Sequence, residues 1–229
     1  MGMKQILVMM AVLVGCSNDT RKAAPDPADE KLITDPIVEK AIREELKKPT
    51  GELTKADLEK VTLLILSYTE LTEVPKELEN LTQLRKLYLW NNKLTDVKSL
   101  KKFTKLERLN LSGNQLTELP KGLEKLTKLR ALHLGDNKLT DVKDLAKLTQ
   151  LTSLSLNANK LTSVKGLENL TQLEYLELQK NQLNDVKGLE KLTQLEYLDL
   201  ENNPALTKAQ IDELQKALPK CTIIHNATK

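Results

Sequence analysis

The sequence predicts an α/β solenoid, an arc of about seven short parallel strands with a helical cap at each end. Three observations predict it. The pattern L-x-x-L-x-L-x-x-N-x-L, plainest at Leu106-Glu-Arg-Leu109-Asn-Leu111-Ser-Gly-Asn114-Gln-Leu116, returns along most of the chain. Aligned at its Asn position it falls on Thr69, Asn92, Asn114, Asn137, Asn159, Asn181 and Asn203, in steps of 23, 22, 23, 22, 22 and 22 residues; such a fixed period marks a stacked-repeat architecture. Within each copy apolar and polar residues alternate, as in a half-buried strand. Both flanks carry apolar residues at helical spacing, as the end pieces of a stack require.

One repeat cannot bury its own leucines. Stacked repeats can, and their strands then form one parallel sheet. The Asn ends each strand where the chain turns, and its amide can satisfy backbone groups that the turn leaves unpaired in the core. Thr69 replaces it in the first copy, a relaxation at the end of the stack. Between strands the chain has two lengths. Most copies follow Leu94-Thr-Asp-Val97-Lys-Ser-Leu100; two carry an added residue with Pro75 or Pro120. These arcs are too short for long helices, so 3₁₀ turns or extended pieces are expected. The repeats over about residues 61–206 resemble leucine-rich repeats, the 22-residue copies those of internalins and phosphatase regulators, the Pro-containing copies the 23-residue class of bacterial and plant proteins. The resemblance implies a right-handed arc with the sheet on the concave side. It says little about function, because this scaffold serves many partners.

Residues 1–15 read as a signal peptide. Lys4 precedes Ile6 to Val14, nine apolar residues that suit a secretion signal and are too few to span a bilayer. The ending Leu13-Val14-Gly15-Cys16 resembles the lipobox of bacterial lipoproteins. That resemblance implies cleavage before Cys16, diacylglycerol on its sulfur and acylation of the new amino terminus, and several acyl chains anchor stably. Ser17 then favours the outer membrane in a Gram-negative cell; a Gram-positive origin voids that step. The alternatives are an ordinary signal peptide or a buried strand. Residues 16–31 hold the lipidated Cys and a tether without large apolar residues, reaching about 20 Å as a coil.

Residues 32–60 read as the N-terminal cap. Asp35-Pro36 opens a helix carrying Ile37, Val38, Ala41, Ile42 and Leu46 on one face, and Pro49-Thr-Gly51 stops it. Thr54-Lys-Ala-Asp57 opens a second with a variant capping box. Residues 207–229 read as the C-terminal cap and tail: a capping box at Thr207-Lys-Ala-Gln210, a helix face of Ile211, Leu214 and Leu218, a stop at Pro219, a final strand over Cys221-Thr-Ile-Ile224, and a frayed end from His225.

Composition narrows the functional classes. The charge of +3 balances 35 basic against 32 acidic residues, so no overall field selects nucleic acid. With Cys16 acylated, Cys221 has no intramolecular partner and reads as a small buried hydrophobe. His133 and His225 lie far apart with no metal-ligand spacing, so no metal is expected. No nucleophile elbow, phosphate loop or zinc-protease motif occurs, and no cofactor is expected. Asp96, Asp141 and Asp185 recur with the repeat, which points to turn geometry; Lys98, Lys143, Lys165 and Lys187 recur likewise as a solvated ridge.

The outward strand positions carry the functional information. Four of the six aromatic residues, Tyr88, Trp90, Tyr175 and Tyr197, fall among the 21 positions that should line the concave face. Tyr and Trp are enriched in binding hot spots. Lys86, Arg108 and their neighbours Arg85 and Arg130 make the N-terminal half basic; Glu177, Asp199 and Glu201 with Glu174 and Glu196 make the C-terminal end acidic. Asn110 and His133 complete the candidate surface. Leu63 and Ile65 are expected to lie under the N-terminal cap. A surface of hydrophilic strands with unselected charges stands as the alternative to a binding face. The expected function is a non-enzymatic, monomeric protein- or peptide-binding module, lipid-anchored on the bacterial envelope. The alternatives are a cytosolic scaffold of the phosphatase-regulator type and a surface protein that binds or cleaves glycans, although exposed carboxylates on an open sheet lack the paired acid and base of a glycosidase.

Overall fold

The computed structural model describes residues 31–228. The expected signal peptide, Cys16 and the tether up to residue 30 lie outside them. Of the described residues, 32–228 belong to one compact unit. Its elements are α1 (Pro36–Leu46), α2 (Lys55–Leu58), β1 (Leu63–Ile65), β2 (Lys86–Tyr88), β3 (Arg108–Asn110), β4 (Ala131–His133), β5 (Ser153–Ser155), β6 (Tyr175–Glu177), β7 (Tyr197–Asp199), α3 (Lys208–Ala217) and β8 (Thr222–Ile224). The strands form one parallel sheet in strict sequence order. The seven repeat strands are joined by an eighth, the final strand expected in the C-terminal cap.

Register follows directly from the repeat. Leu64, Leu87, Leu109, Leu132, Leu154, Leu176 and Leu198 sit opposite one another in successive strands. All are buried, and their neighbours two residues on, such as Leu89, Leu111 and Leu134, are buried beside them. A slip by one residue would turn every such leucine to solvent, so burial fixes the register. Return arcs close the core from the other side through five 3₁₀ turns, Lys76–Asn80, Lys98–Lys102, Leu123–Lys125, Lys143–Lys147 and Leu189–Lys191. Each buries a leucine. Asp96, Asp141 and Asp185 open their arcs by accepting from the amides of Lys98, Lys143 and Lys187 at 3.0, 2.8 and 3.0 Å.

The buried asparagines lace the repeats together. Asn137 donates from Nδ2 to the carbonyls of Leu134, at the end of its own strand, and of Leu111, one repeat earlier, at 3.1 and 3.0 Å. Its Oδ1 accepts from the Leu116 amide at 3.0 Å. Asn92, Asn114, Asn159, Asn181 and Asn203 make the same three kinds of bond. All six are buried. At the first slot the Thr69 hydroxyl donates to the Leu66 carbonyl at 2.8 Å, while its amide donates to Asn92. The substitution keeps the local bond, and no preceding repeat exists to need the other.

Both caps follow their boxes. Asp35 accepts from the amides of Ile37 and Val38, Thr54 and Asp57 cap α2 reciprocally, and Thr207 and Gln210 do so for α3. Lys48 reaches Asp57 at 2.7 Å, and this bond, with those from Thr54, holds the Asp57 carboxyl well below the usual range. Two expectations change. Helix α1 ends at Leu46, before Pro49, because Lys47 turns left-handed and its amide returns to the Arg43 and Glu44 carbonyls; Arg43 then ties down the following loop through the carbonyls of Lys48 and Gly51. The tail does not fray at His225, because Asn226 accepts from the Asn202 amide at 2.9 Å and donates back to the Asn202 side chain. Cys221 is buried, which pushes its thiol up to about 11.

Asn137→Ala is expected to strip the partner from the buried Leu116 amide, while the Leu111 and Leu134 carbonyls keep bonds from Asn114 and Asn159 respectively. With that one group left unpaired, urea unfolding should show about 1–3 kcal/mol lost; a loss under about 0.5 kcal/mol contradicts the lacing role. Two glycines should separate. Gly166 sits at φ +100, and a Cβ there would meet the Lys143 Cα at 2.6 Å and its carbonyl oxygen at 2.9 Å. Gly113, at φ +66, faces chiefly the Asn91 side chain, and its slot is held by Ala158 and Lys180 in other repeats at φ 50 and 57. Gly166→Ala should therefore cost clearly more than the ~1 kcal/mol of an ordinary left-handed alanine, with Gly113→Ala near that value, read from thermal unfolding of the two variants.

Candidate concave binding face

Alternation turns residues 63, 65, 86, 88, 108, 110 and their equivalents away from the leucine core. Lys86, Arg108, Ala131, Ser153, Tyr175 and Tyr197 follow one another in register across β2 to β7; Tyr88, Asn110, His133, Ser155, Glu177 and Asp199 form a second row. The structure thus places the expected strand residues on one face. Trp90 and Glu201 follow their strands by two residues. The eighth strand extends both rows with Thr222 beside Tyr197 and Ile224 beside Asp199.

The N-terminal end differs from expectation. Ile65 is 56% exposed, so the cap does not cover it, and Leu63 is only half-buried. Helix α1 turns Val38 and Ile42 into the end of the core. It thereby seals the interior and leaves the outward side of β1 open. Beside Ile65 lies Tyr88 in register. Tyr68 adds an aromatic that alternation misses. It is 64% exposed and stands edge-on to Trp90, with ring centroids 4.4 Å apart. Its backbone is left-handed at φ 59, which puts it outside the strand pattern. The sequence signal is its slot, directly before the Thr69 position. Other repeats place Asn91, Gly113, Asp136, Ala158, Lys180 and Asn202 there, so a Tyr stands out. Ile65, Tyr68, Tyr88 and Trp90 form one apolar and aromatic patch.

The middle of the face is a shallow depression of about 760 Å³ lined by Lys86, Glu107, Arg108, Arg130, Ala131, His133, Thr152, Ser153, Glu174 and Tyr175. Glu107 is drawn to Arg85 at 2.7 Å. Half-buried His133 has its imidazole pKa lowered by burial; Glu177 opposes this and Arg108 adds to it. Ser155 is buried and donates to Asn157 at 2.6 Å.

The C-terminal end is acidic, but not uniformly open. Asp199, expected on the surface, is only 9% exposed and accepts from the Glu201 amide at 2.9 Å. It sits between Glu177 and Ile224, so it shapes the strand end more than it offers a free charge. Tyr175 is 47% exposed, and its hydroxyl donates to Glu196 at 3.3 Å; that carboxylate raises the phenol pKa. For Tyr197 the rise comes first from burial, then from Asp199, Glu177 and Glu201. Among the described residues no group of three or more His, Cys, Asp or Glu side chains could hold a metal ion. No described helix is long and apolar enough to cross a membrane.

Comparison with known proteins agrees with this architecture. A search of curated proteins by sequence returned no match. Among solved structures the chain is similar to internalin C2 of Listeria monocytogenes, with 29% identity, a TM-score of 0.76, and 85% of this chain and 86% of that one covered. A second Listeria monocytogenes internalin matches at 28% identity and TM-score 0.76, over 92% of this chain and 62% of the other. A leucine-rich repeat protein of Leptospira interrogans matches at 31% identity and TM-score 0.60, over 75% of this chain and 51% of that one. A profile described as two copies of leucine-rich repeats matches residues 59–102. The profile described as a leucine-rich repeat region matches residues 91–227, more than half of the chain, and the protein belongs to that family.

Proposed function

We propose that the chain is a non-enzymatic binding module that grips a protein or peptide on its concave sheet, tethered to the bacterial envelope through a lipid on Cys16. One observation carries the binding reading: Ile65, Tyr68, Tyr88 and Trp90 gather on an open sheet whose interior is already sealed by α1. Apolar side chains left in water beside a closed core favour a partner that removes them from it. The charge order supports the same reading. Lys86, Arg108 and Arg130 follow the patch, and Glu174, Glu177 and Glu196 lie beyond. A partner with the reverse order is steered into one orientation. The internalin-like neighbours add weight, since the match to internalin C2 spans most of both chains.

The anchor rests on the sequence alone. Lys4, the nine apolar residues from Ile6 and the Leu13-Val14-Gly15-Cys16 ending support it, and Ser17 favours the outer membrane if the cell is Gram-negative.

The binding reading is tested with Tyr68→Ala/Trp90→Ala in the full chain. Proteins retrieved from envelope extracts should fall at least tenfold in yield, about 1.4 kcal/mol, with the unfolding midpoint unchanged; equal yield from the folded variant sinks it. For the anchor, mass spectrometry of the N-terminal peptide from native cells should find it starting at an acylated Cys16. A peptide beginning at Met1 or Met3 with a free thiol would move the same concave face to cytosolic partners.

A further inference from the structure

The central depression has a construction of its own. Along one row the side chains run Lys86, Arg108, Ala131, Ser153 and Tyr175. Two small residues thus lie between two long ones and form the floor of a notch. Arg108 and Arg130 reach its edge as exposed side chains. Among the described residues neither has a carboxylate within ion-pair distance, and the nearest candidate in sequence, Glu107, is engaged by Arg85. His133 borders the notch half-buried, and Ser153 and Thr152 bring hydroxyls. Glu174 lines the β6 side of the depression, so it is on the β3–β4 side, where two unpaired guanidiniums stand beside the small floor of Ala131 and Ser153, that a planar carboxylate fits, bound by Arg in bidentate fashion.

We propose that this notch accepts an Asp or Glu side chain of a protein partner lying across the strands. The inference rests on the concave-face reading and adds the partner's chemistry to it. The apolar patch argues for protein over a uronate polysaccharide, because Ile65 offers an aliphatic surface with no use for sugar hydroxyls. The two features also fix a spacing. The patch is centred between β1 and β2 and the notch between β4 and β5, three strand spacings apart, about 14 Å. An extended segment covers that in about four residues at ~3.3 Å each, and residues four apart project to the same side. The partner therefore presents an aromatic or aliphatic side chain and, four residues away, a carboxylate.

Random dodecapeptides displayed on phage, panned against the full chain, test this. Selected peptides should carry Asp or Glu about four positions from an aromatic or aliphatic residue. Their binding should fall at least about tenfold on R108E/R130E. Panning against R108E/R130E itself should select Lys or Arg at the same position, an exchange of sign that damage to the fold cannot produce. Peptides without an acidic residue, peptides indifferent to R108E/R130E, or a failure to enrich any peptide overturn the proposal. Binding lost on Y68A/W90A but kept on R108E/R130E would overturn the notch while leaving the concave face standing. Binding kept on both would overturn both. A hexuronate oligosaccharide that binds, and is lost on R108E/R130E, when no peptide does so would assign the notch to a glycan and overturn the protein partner.

Discussion

A single amide, repeated six times, governs this architecture. A parallel strand of three residues cannot sustain itself, and the turn that ends it leaves backbone groups pointing into a leucine core. An unpaired group there costs about as much as a hydrogen bond contributes elsewhere in the fold. The side chains of Asn92 through Asn203 answer this by joining the end of their own strand to the end of the preceding one and to the arc that follows that preceding strand. Serine or alanine in the slot could not make all three bonds. Leu supplies the burial that drives stacking, but the asparagines make that burial compatible with a turn.

The display surface follows from the same constraint. Once the asparagines and leucines fix the register, each outward residue occupies a set place, and neighbouring repeats bring equivalent positions together about 4.8 Å apart. Residues 22 apart in sequence thus become a row. Selection can then write a pattern across the sheet without disturbing the core, because outward and inward positions alternate. The aromatic patch, the Arg-edged notch and the acidic end are three stretches of one such pattern. The caps complete the logic: α1 closes the core with Val38 and Ile42 yet leaves Ile65 in water.

Much of this is legible in the sequence alone. The period located seven strands, the Asn positions, the convex aspartates and both capping boxes, because each depends on local chemistry or on the repeat itself. What failed depended on neighbours in space. Exposure of Ile65 turns on where α1 settles, which helical spacing does not state. Tyr68 escaped because its side chain is placed by a left-handed backbone and not by strand alternation. Burial of Asp199 comes from the eighth strand beside it. Order in the tail comes from Asn226 meeting Asn202, residues 24 apart with no repeat to pair them. The notch was present in the sequence only as small residues, Ala131 and Ser153, and became visible once the register set them between Arg108 and Tyr175.

If the concave sheet is the working surface, a partner in the cell must touch it and not the convex turns. The most direct measurement is photo-crosslinking in cells that make the protein, with a photoreactive phenylalanine analogue at Tyr88 on the sheet or at Lys101 on a convex turn. Position 88 should give a discrete higher-mass adduct and position 101 none. Adducts from position 101 alone, equal adducts from both, or none from position 88 would contradict that role of the sheet.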